Sequence, residues 1–232
     1  MRKLWPGYSW RVILCCGLIV SGCSAVSTKP SDSLAGRRTV GWFIDKYGET
    51  ITPGLSELLT KVQARLRVAT AVTVGRDPGA LSLRVFNYRE PLAFSTVGGE
   101  ILFSKGLLLD LESEDELAAV IAHELAHVVL GHLKELKPQV GEKPELIMSE
   151  EKEIEADRLS VTLMRGSGYD PLATMAVLRR LTGGQEAREQ ILAQELAKFP
   201  AERPSTNLRL FKRVQAEIVG LEEVRRLRES SW

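Results

Sequence analysis

The chain has 232 residues, 44% of them apolar and 26% charged, which is enough to bury one core of ordinary size. Its 31 basic and 30 acidic groups leave a formal net charge of +1, so no basic surplus points to nucleic acid as a partner. The three cysteines, Cys15, Cys16 and Cys23, all lie near the N-terminus, and the three histidines all lie within "AHELAHVVLGH", residues 122 to 132.

The N-terminus places Arg2, Lys3 and Arg11 ahead of an apolar run from Val12 to Val20. Nine residues are too few to span a bilayer as a helix but suit the apolar region of a secretory signal. The following "VSGC" resembles the lipobox of bacterial lipoproteins, in which the signal is cut before the cysteine and the cysteine is acylated. Residues 1–22 are therefore expected to be a signal peptide and Cys23 the lipidated first residue of the mature chain. Cys15 and Cys16 would leave with the signal, so no disulfide could form within the mature chain. Loss of Arg2, Lys3 and Arg11 turns the net charge to −2. Ser24, rather than an aspartate, follows the lipidation position. That resembles the outer-membrane sorting rule of Gram-negative lipoproteins and implies an anchored protein facing the periplasm. The anchor would be the acyl chains, because no internal segment is long and apolar enough to span.

Residues 23–54, rich in Ser, Thr, Gly and Pro, suit a tether that leaves the membrane and docks on a domain covering 55–232. Leu55, Leu58, Leu59, Val62, Leu66 and Ala69 recur at helical spacing and predict a first helix. "LSLRVFNY" and "EILFS" read as extended segments, the second introduced by Gly98-Gly99. Ser113 with Glu116 three residues on is a capping-box pattern, opening a helix expected to run to about Leu136 past the isolated Gly131. Pro138, Gly141 and Pro144 mark a loop. A further helix is expected from about Leu146 to Arg165, stopped by "GSGYDP", where Asp170-Pro171 starts the next. The remainder is helical in pattern, with a break at "FPAERPS". This distribution predicts a mainly helical α+β domain with a small sheet.

At about 100° per residue, His123 and His127 lie ~40° apart, so both imidazoles leave one helix face at a separation that suits zinc. Glu124 is ~100° round from the first, placed to reach a metal-bound water without binding the metal. His132 falls ~180° from His123 on the apolar arc, where a hydrogen-bonded core or rim histidine is the expectation rather than a ligand. A metzincin would need histidine at Leu133 and glycine at Leu130, and the inverted H-x-x-E-H order is absent. With no other histidine in the chain, a third ligand must be a carboxylate, giving a site of the His2Glu type. The helix "EEKEIEADRLS" offers one: Glu153 and Asp157 share a face, and Ala156 leaves room for a close helix approach, as Ala122 and Ala126 do on the first helix. Taken alone, Glu153 could equally belong to a solvated acidic face with Glu150, Glu151 and Glu155.

"HELAH" followed by "EIEAD" resembles the HExxH and ExxAD pair of metallopeptidase family forty-eight. That family includes the HtpX protease and the CAAX prenyl endopeptidase. The resemblance covers about Leu55 to Val214 and implies a zincin-like (gluzincin) domain. It implies His123, His127 and Glu153 as ligands of one zinc ion, Glu124 as general base, and Asp157 as the acceptor that orients a ligand imidazole. "AFSTVGGEILFSKGLL" is similar to the family's strand and Gly-Gly turn, with Val97 where a proline is common. "RPSTNLR" resembles its His-Pro-x-Thr-x-x-Arg stretch, with Arg203 in place of the histidine and Pro204, Thr206 and Arg209 kept. Arg203, or else Arg209, is then the expected cation for a developing oxyanion.

Together these features lead to the expectation of a lipid-anchored zinc endopeptidase of the cell envelope, acting on unfolded or misassembled polypeptides. By the resemblance, the substrate adds a strand to the edge formed by about Gly98 to Ser104. An envelope chaperone or adaptor with a structural or occluded zinc site is the alternative.

Overall fold

Helices surround a small sheet in the computed structural model, which describes residues 12–13, 30–75, 77–79, 81–135, 145–146, 148–199 and 208–230. The expected signal apart from Val12–Ile13, the lipidation candidate Cys23, the stretch from Pro138 to Pro144 and Arg203 lie outside the described residues. The fold is mainly helical α+β with one three-stranded sheet.

In chain order the elements are β1 (Val12–Ile13), α1 (Pro30–Tyr47), α2 (Pro53–Val74), β2 (Ser82–Phe86), β3 (Ala93–Ser95), β4 (Glu100–Ser104) and α3 (Lys105–Asp110). Then come α4 (Glu114–Leu130), a 3-10 turn (His132–Glu135), β5 (Glu145–Leu146), α5 (Glu150–Gly166), α6 (Leu172–Thr182), α7 (Glu186–Ala197) and α8 (Leu208–Ser230). The pair β1 and β5 forms a two-residue antiparallel ladder.

The sheet has the order β2-β4-β3, with β2 parallel and β3 antiparallel to β4. This corrects the expected substrate edge: Glu100–Ser104 is the central strand and is paired on both sides, so the outer strand of this hairpin is β3. Side chains alternate across the pleat as a two-sided sheet requires. Val85, Ala93, Ile101 and Phe103 join Leu58, Val62, Leu117 and Ile121 in the main core under α2 and α4. Phe86, Phe94 and Leu102 face the opposite way, against Val40 and Phe43 of α1.

Helix α1 lies within the stretch read as a tether. Its sequence is Gly- and Ser-containing at the start, but Val40, Phe43 and Tyr47 at helical spacing supply an aromatic face that stacks on the sheet. The rings of Phe43 and Phe94 are 4.7 Å apart and those of Phe43 and Phe86 5.1 Å. Burying one such ring contributes about 1.5–3 kcal/mol, which is how a stretch of tether-like composition becomes ordered.

Two helix ends bear on the site. Ser113 caps α4 as its pattern predicts, its hydroxyl accepting from the Glu116 amide at 3.2 Å. The other end departs from expectation. Gly131 adopts φ +77° and terminates α4 as a left-handed cap instead of lying inside a helix that runs on to about Leu136. Likewise α5 begins at Glu150 rather than near Leu146.

Candidate metal centre

Helices α4 and α5 meet over alanines. Ala122, Ala126 and Ala156 are fully buried, and with only methyl groups between them the two backbones come close enough for side chains on both to share one pocket. His123 and His127 project from α4, Glu153 and Asp157 from α5, and all four are buried. One donor atom from each of His123, His127 and Glu153 lies within 4.8 Å of the others. The two Nε2 atoms are 3.1 Å apart, Glu153 Oε2 is 3.4 Å from Nε2 of His123, and Glu153 Oε1 is 3.5 Å from Nε2 of His127. The structure thus takes Glu153 out of the solvated acidic face and sets it against both imidazoles.

The other ring nitrogens explain why these lone pairs converge. Nδ1 of His123 is 3.0 Å from Oδ1 of Asp157, a carboxylate that can only accept, so Nδ1 carries the proton and donates it. Nδ1 of His127 is 3.0 Å from Nδ1 of His132, whose Nε2 is 3.0 Å from Glu155. Glu155 draws the His132 proton to Nε2, which leaves His132 Nδ1 to accept from Nδ1 of His127. Each ligand-type imidazole is therefore tautomerically fixed with its Nε2 lone pair directed at the cluster. His132 stands outside the cluster as a buried, hydrogen-bonded partner. It reaches that place from the 3-10 turn beyond Gly131, not from the helical arc on which the spacing argument set it.

Two imidazole lone pairs and a carboxylate facing one another need a positive charge between them, and Oε2 of Glu153 is buried without a hydrogen bond. The donor set of two nitrogens and one oxygen is that of an open divalent-metal site, so these residues fit a metal. In the metal-free chain a proton serves instead. Burial opposes a charge on the His123 ring, but the hydrogen bond it donates to Asp157 and the negative charges of Glu153 and Asp157 outweigh it and lift the ring to about 10. Burial and that neighbouring charge push His127 down to about 3.

Glu124, one residue past His123, is fully buried and stands apart from the three clustered residues. Oε2 accepts a hydrogen bond from the Ser95 hydroxyl of β3 at 2.8 Å, while Oε1 has no partner. Burial raises its carboxyl to about 7 despite the opposing pull of His123 and of the Ser95 hydroxyl. A group so tuned exchanges a proton near neutral pH.

Arg188 completes the pocket from α7. It is 2% exposed, and its Nε and Nη2 donate to the two oxygens of Asp157 at 2.7 and 2.8 Å. Its Nη1 is 3.1 Å from Oε2 of Glu153, an ion-pair distance without hydrogen-bond alignment. Burial works against charge on both acids, but His123 and Arg188 hold Glu153 and Asp157 below the usual carboxylate range. Neither Ser95 nor Arg188 was foreseen from the sequence. Arg188 sits in the charged stretch "QEAREQ", which reads as a solvated helix face, and no local pattern distinguishes it. Of the two expected oxyanion partners, Arg209 is exposed in the first turn of α8 and Arg203 is not among the described residues.

Comparison with known proteins finds a family match over part of the chain. Residues 60–147, which carry β2 to β4 and the histidine helix, match Peptidase family M48. That part of the chain is similar to an M48 metallopeptidase domain. The chain is 28% identical to the mitochondrial metalloendopeptidase OMA1 of Schizosaccharomyces pombe, over 73% of this chain and 56% of that protein. It is 25% identical to the metalloprotease LoiP of Escherichia coli, over 60% of this chain and 66% of that one. A putative beta-barrel assembly-enhancing protease of Vibrio cholerae is 43% identical over 96 residues, 41% of this chain and 19% of that protein. The chain thus spans about half to two thirds of the length of the first two relatives. The M48 match ends at residue 147, so the place of Glu153 in the site rests on the geometry above.

Proposed function

We propose that this protein is a zinc-dependent endopeptidase of the bacterial cell envelope, with one zinc held by His123, His127 and Glu153. The observation that carries this reading is the convergence of those three buried donors beside a fourth group, Glu124, that stays out of the cluster with one oxygen unpartnered. A site built only to hold a metal structurally has no use for such a group.

When bound, zinc supplies a Lewis acid that polarises the scissile carbonyl and acidifies water. The rest falls to side chains of the chain. Glu124 takes the proton of the attacking water on its open oxygen and passes it to the leaving amide nitrogen. Asp157 keeps the His123 ring oriented, and His132 with Glu155 does the same for His127. β3 is the strand against which an extended substrate would lie, since its residue Ser95 touches Glu124 and its other edge is taken by β4. Arg203, from the segment between α7 and α8, is the proposed cation for the developing oxyanion.

The envelope setting rests on the signal-like N-terminus, on Cys23 as an acylation site that would anchor the chain to the outer membrane, and on relatives named for β-barrel assembly. Unfolded or misassembled polypeptides are the substrates this suggests. Among the described residues no helix is long and apolar enough to cross a membrane.

The test is Glu124→Gln, which keeps the helix and both imidazoles. The purified variant should retain metal and lose casein digestion by about three orders of magnitude or more, matching the parent treated with chelator. Digestion at the parental rate would remove the peptidase reading.

A further inference from the structure

Asp157 and Glu153 stand one helical turn apart on α5, and each acts on a different part of the metal site: Glu153 as ligand and Asp157 through His123. His123 of α4 touches both side chains, and a second group that holds them comes from neither α4 nor α5. Among the described residues, the guanidinium that reaches both is Arg188 of α7. Oδ1 of Asp157 accepts from His123 and Arg188 at once, at 3.0 and 2.8 Å, so the fork that grips the carboxylate also fixes which oxygen faces the imidazole. The third nitrogen of the same group lies 3.1 Å from the ligand carboxylate. Gln185 adds a contact at 3.2 Å that restrains Nη1 from its own helix. Three buried acids, Glu124, Glu153 and Asp157, otherwise share this pocket and repel one another.

We propose that Arg188 is a positioning residue of the metal centre, tying the carboxylate that binds the metal to the one that orients His123, so that metal affinity depends on this one side chain of α7. This rests on the reading of the site as a metal centre. An arginine is required rather than any cation, because only a planar fork can hold both oxygens of Asp157 while a third nitrogen addresses Glu153. Lysine in its place offers one mobile ammonium.

The experiment measures zinc affinity by competition with a chromophoric chelator, and the visible spectrum of the cobalt-substituted protein, for the parent, Arg188→Lys, Arg188→Met and Leu192→Ala. Leu192 is the control. It is buried on the same helix in an apolar contact with Val161 and Leu178, so its truncation loosens α7 without touching the pocket. The lysine variant should bind zinc about tenfold more weakly or worse, and the methionine variant up to about a hundredfold, each with an altered cobalt spectrum. Leu192→Ala should melt earlier yet keep zinc affinity within about twofold of the parent. Unchanged affinity and spectrum in Arg188→Lys would overturn the proposal. So would an equal loss in Leu192→Ala, which would assign the effect to the docking of α7 as a whole. A parent chain that binds no zinc would instead bring down the metal reading itself, and this inference with it.

Discussion

Within the Glu124 carboxyl the two oxygens have different surroundings: one accepts from Ser95, the other is buried without a hydrogen-bond partner. The Ser95 hydroxyl donates to the ionised form and so favours it, while burial favours the neutral acid, and the outcome is a carboxyl near 7. As the proposed base, Glu124 must be ionised to act, so in that role the acidic limb of the pH–rate profile belongs to it. Removing the hydroxyl takes away a stabiliser of the charged form, raises the carboxyl further and moves that limb to higher pH. Ser95→Ala should therefore lose about two- to tenfold in kcat/KM at pH 6 and much less at pH 8. A profile whose acidic limb stays in place would separate Ser95 from the base. Spacing alone puts His123 and His127 on one face of one helix and Glu153 and Asp157 on one face of another. It is silent on Ser95 and Arg188, because each reaches the pocket through the docking of a different element, and docking leaves no local period in the sequence.

Helix α4 shows at the element scale how one backbone angle arranges two side chains. Had the helix continued through Gly131, His132 would point away from His127 across the helix axis. The left-handed turn at Gly131, φ +77°, folds the chain back so that the Nδ1 atoms of His127 and His132 meet at 3.0 Å. An alanine there must enter the left-handed region, which costs about 1–2 kcal/mol. Gly131→Ala should accordingly melt about 2–8 °C lower in a chain of this size and bind zinc more weakly as the His132 contact loosens. A lower melting point with full zinc affinity would show that His132 does not position His127. The capped start of α4, the helix breaks near Gly166 and Pro171, and the extended segments around Leu83 and Ile101 were legible because each has a local chemical cause. The end of α4 was misplaced because an isolated glycine reads alike inside a helix and at its end until φ is known. The order β2-β4-β3 was not legible, since strand order is set by which face of each strand finds a partner across the core. Helix α1 was hidden by a polar, Ser- and Gly-bearing start that outweighed its aromatic face.

At the scale of the molecule, the metal pocket sits between helices that the apolar cores hold together. The main core joins α2, α3, α4, α5, α6 and α8 to one face of the sheet, a second core fills the space between the sheet and α1, and a third links α5, α6 and α7. His123, His127, Glu153 and Asp157 lie in the seam between α4 and α5. Without metal that seam still has its ion pairs: Arg188 with Asp157, and a protonated His123 between Asp157 and Glu153. The scaffold should therefore survive chelation. A metal that binds the folded chain alone adds RT ln(1 + [M]/Kd), about 2.7 kcal/mol at a hundredfold excess over Kd. For a chain of this size that amounts to about 5–10 °C in melting temperature. A metal that builds the fold behaves differently, contributing about 10–16 kcal/mol and leaving an unfolded chain when withdrawn. Helical circular dichroism of the chelated protein at 25 °C should thus match that of the zinc-loaded form, with melting lowered by only the smaller amount. Loss of the helical signal on chelation would mean that the ion holds the structure together, and would favour a structural zinc in an adaptor over a catalytic one.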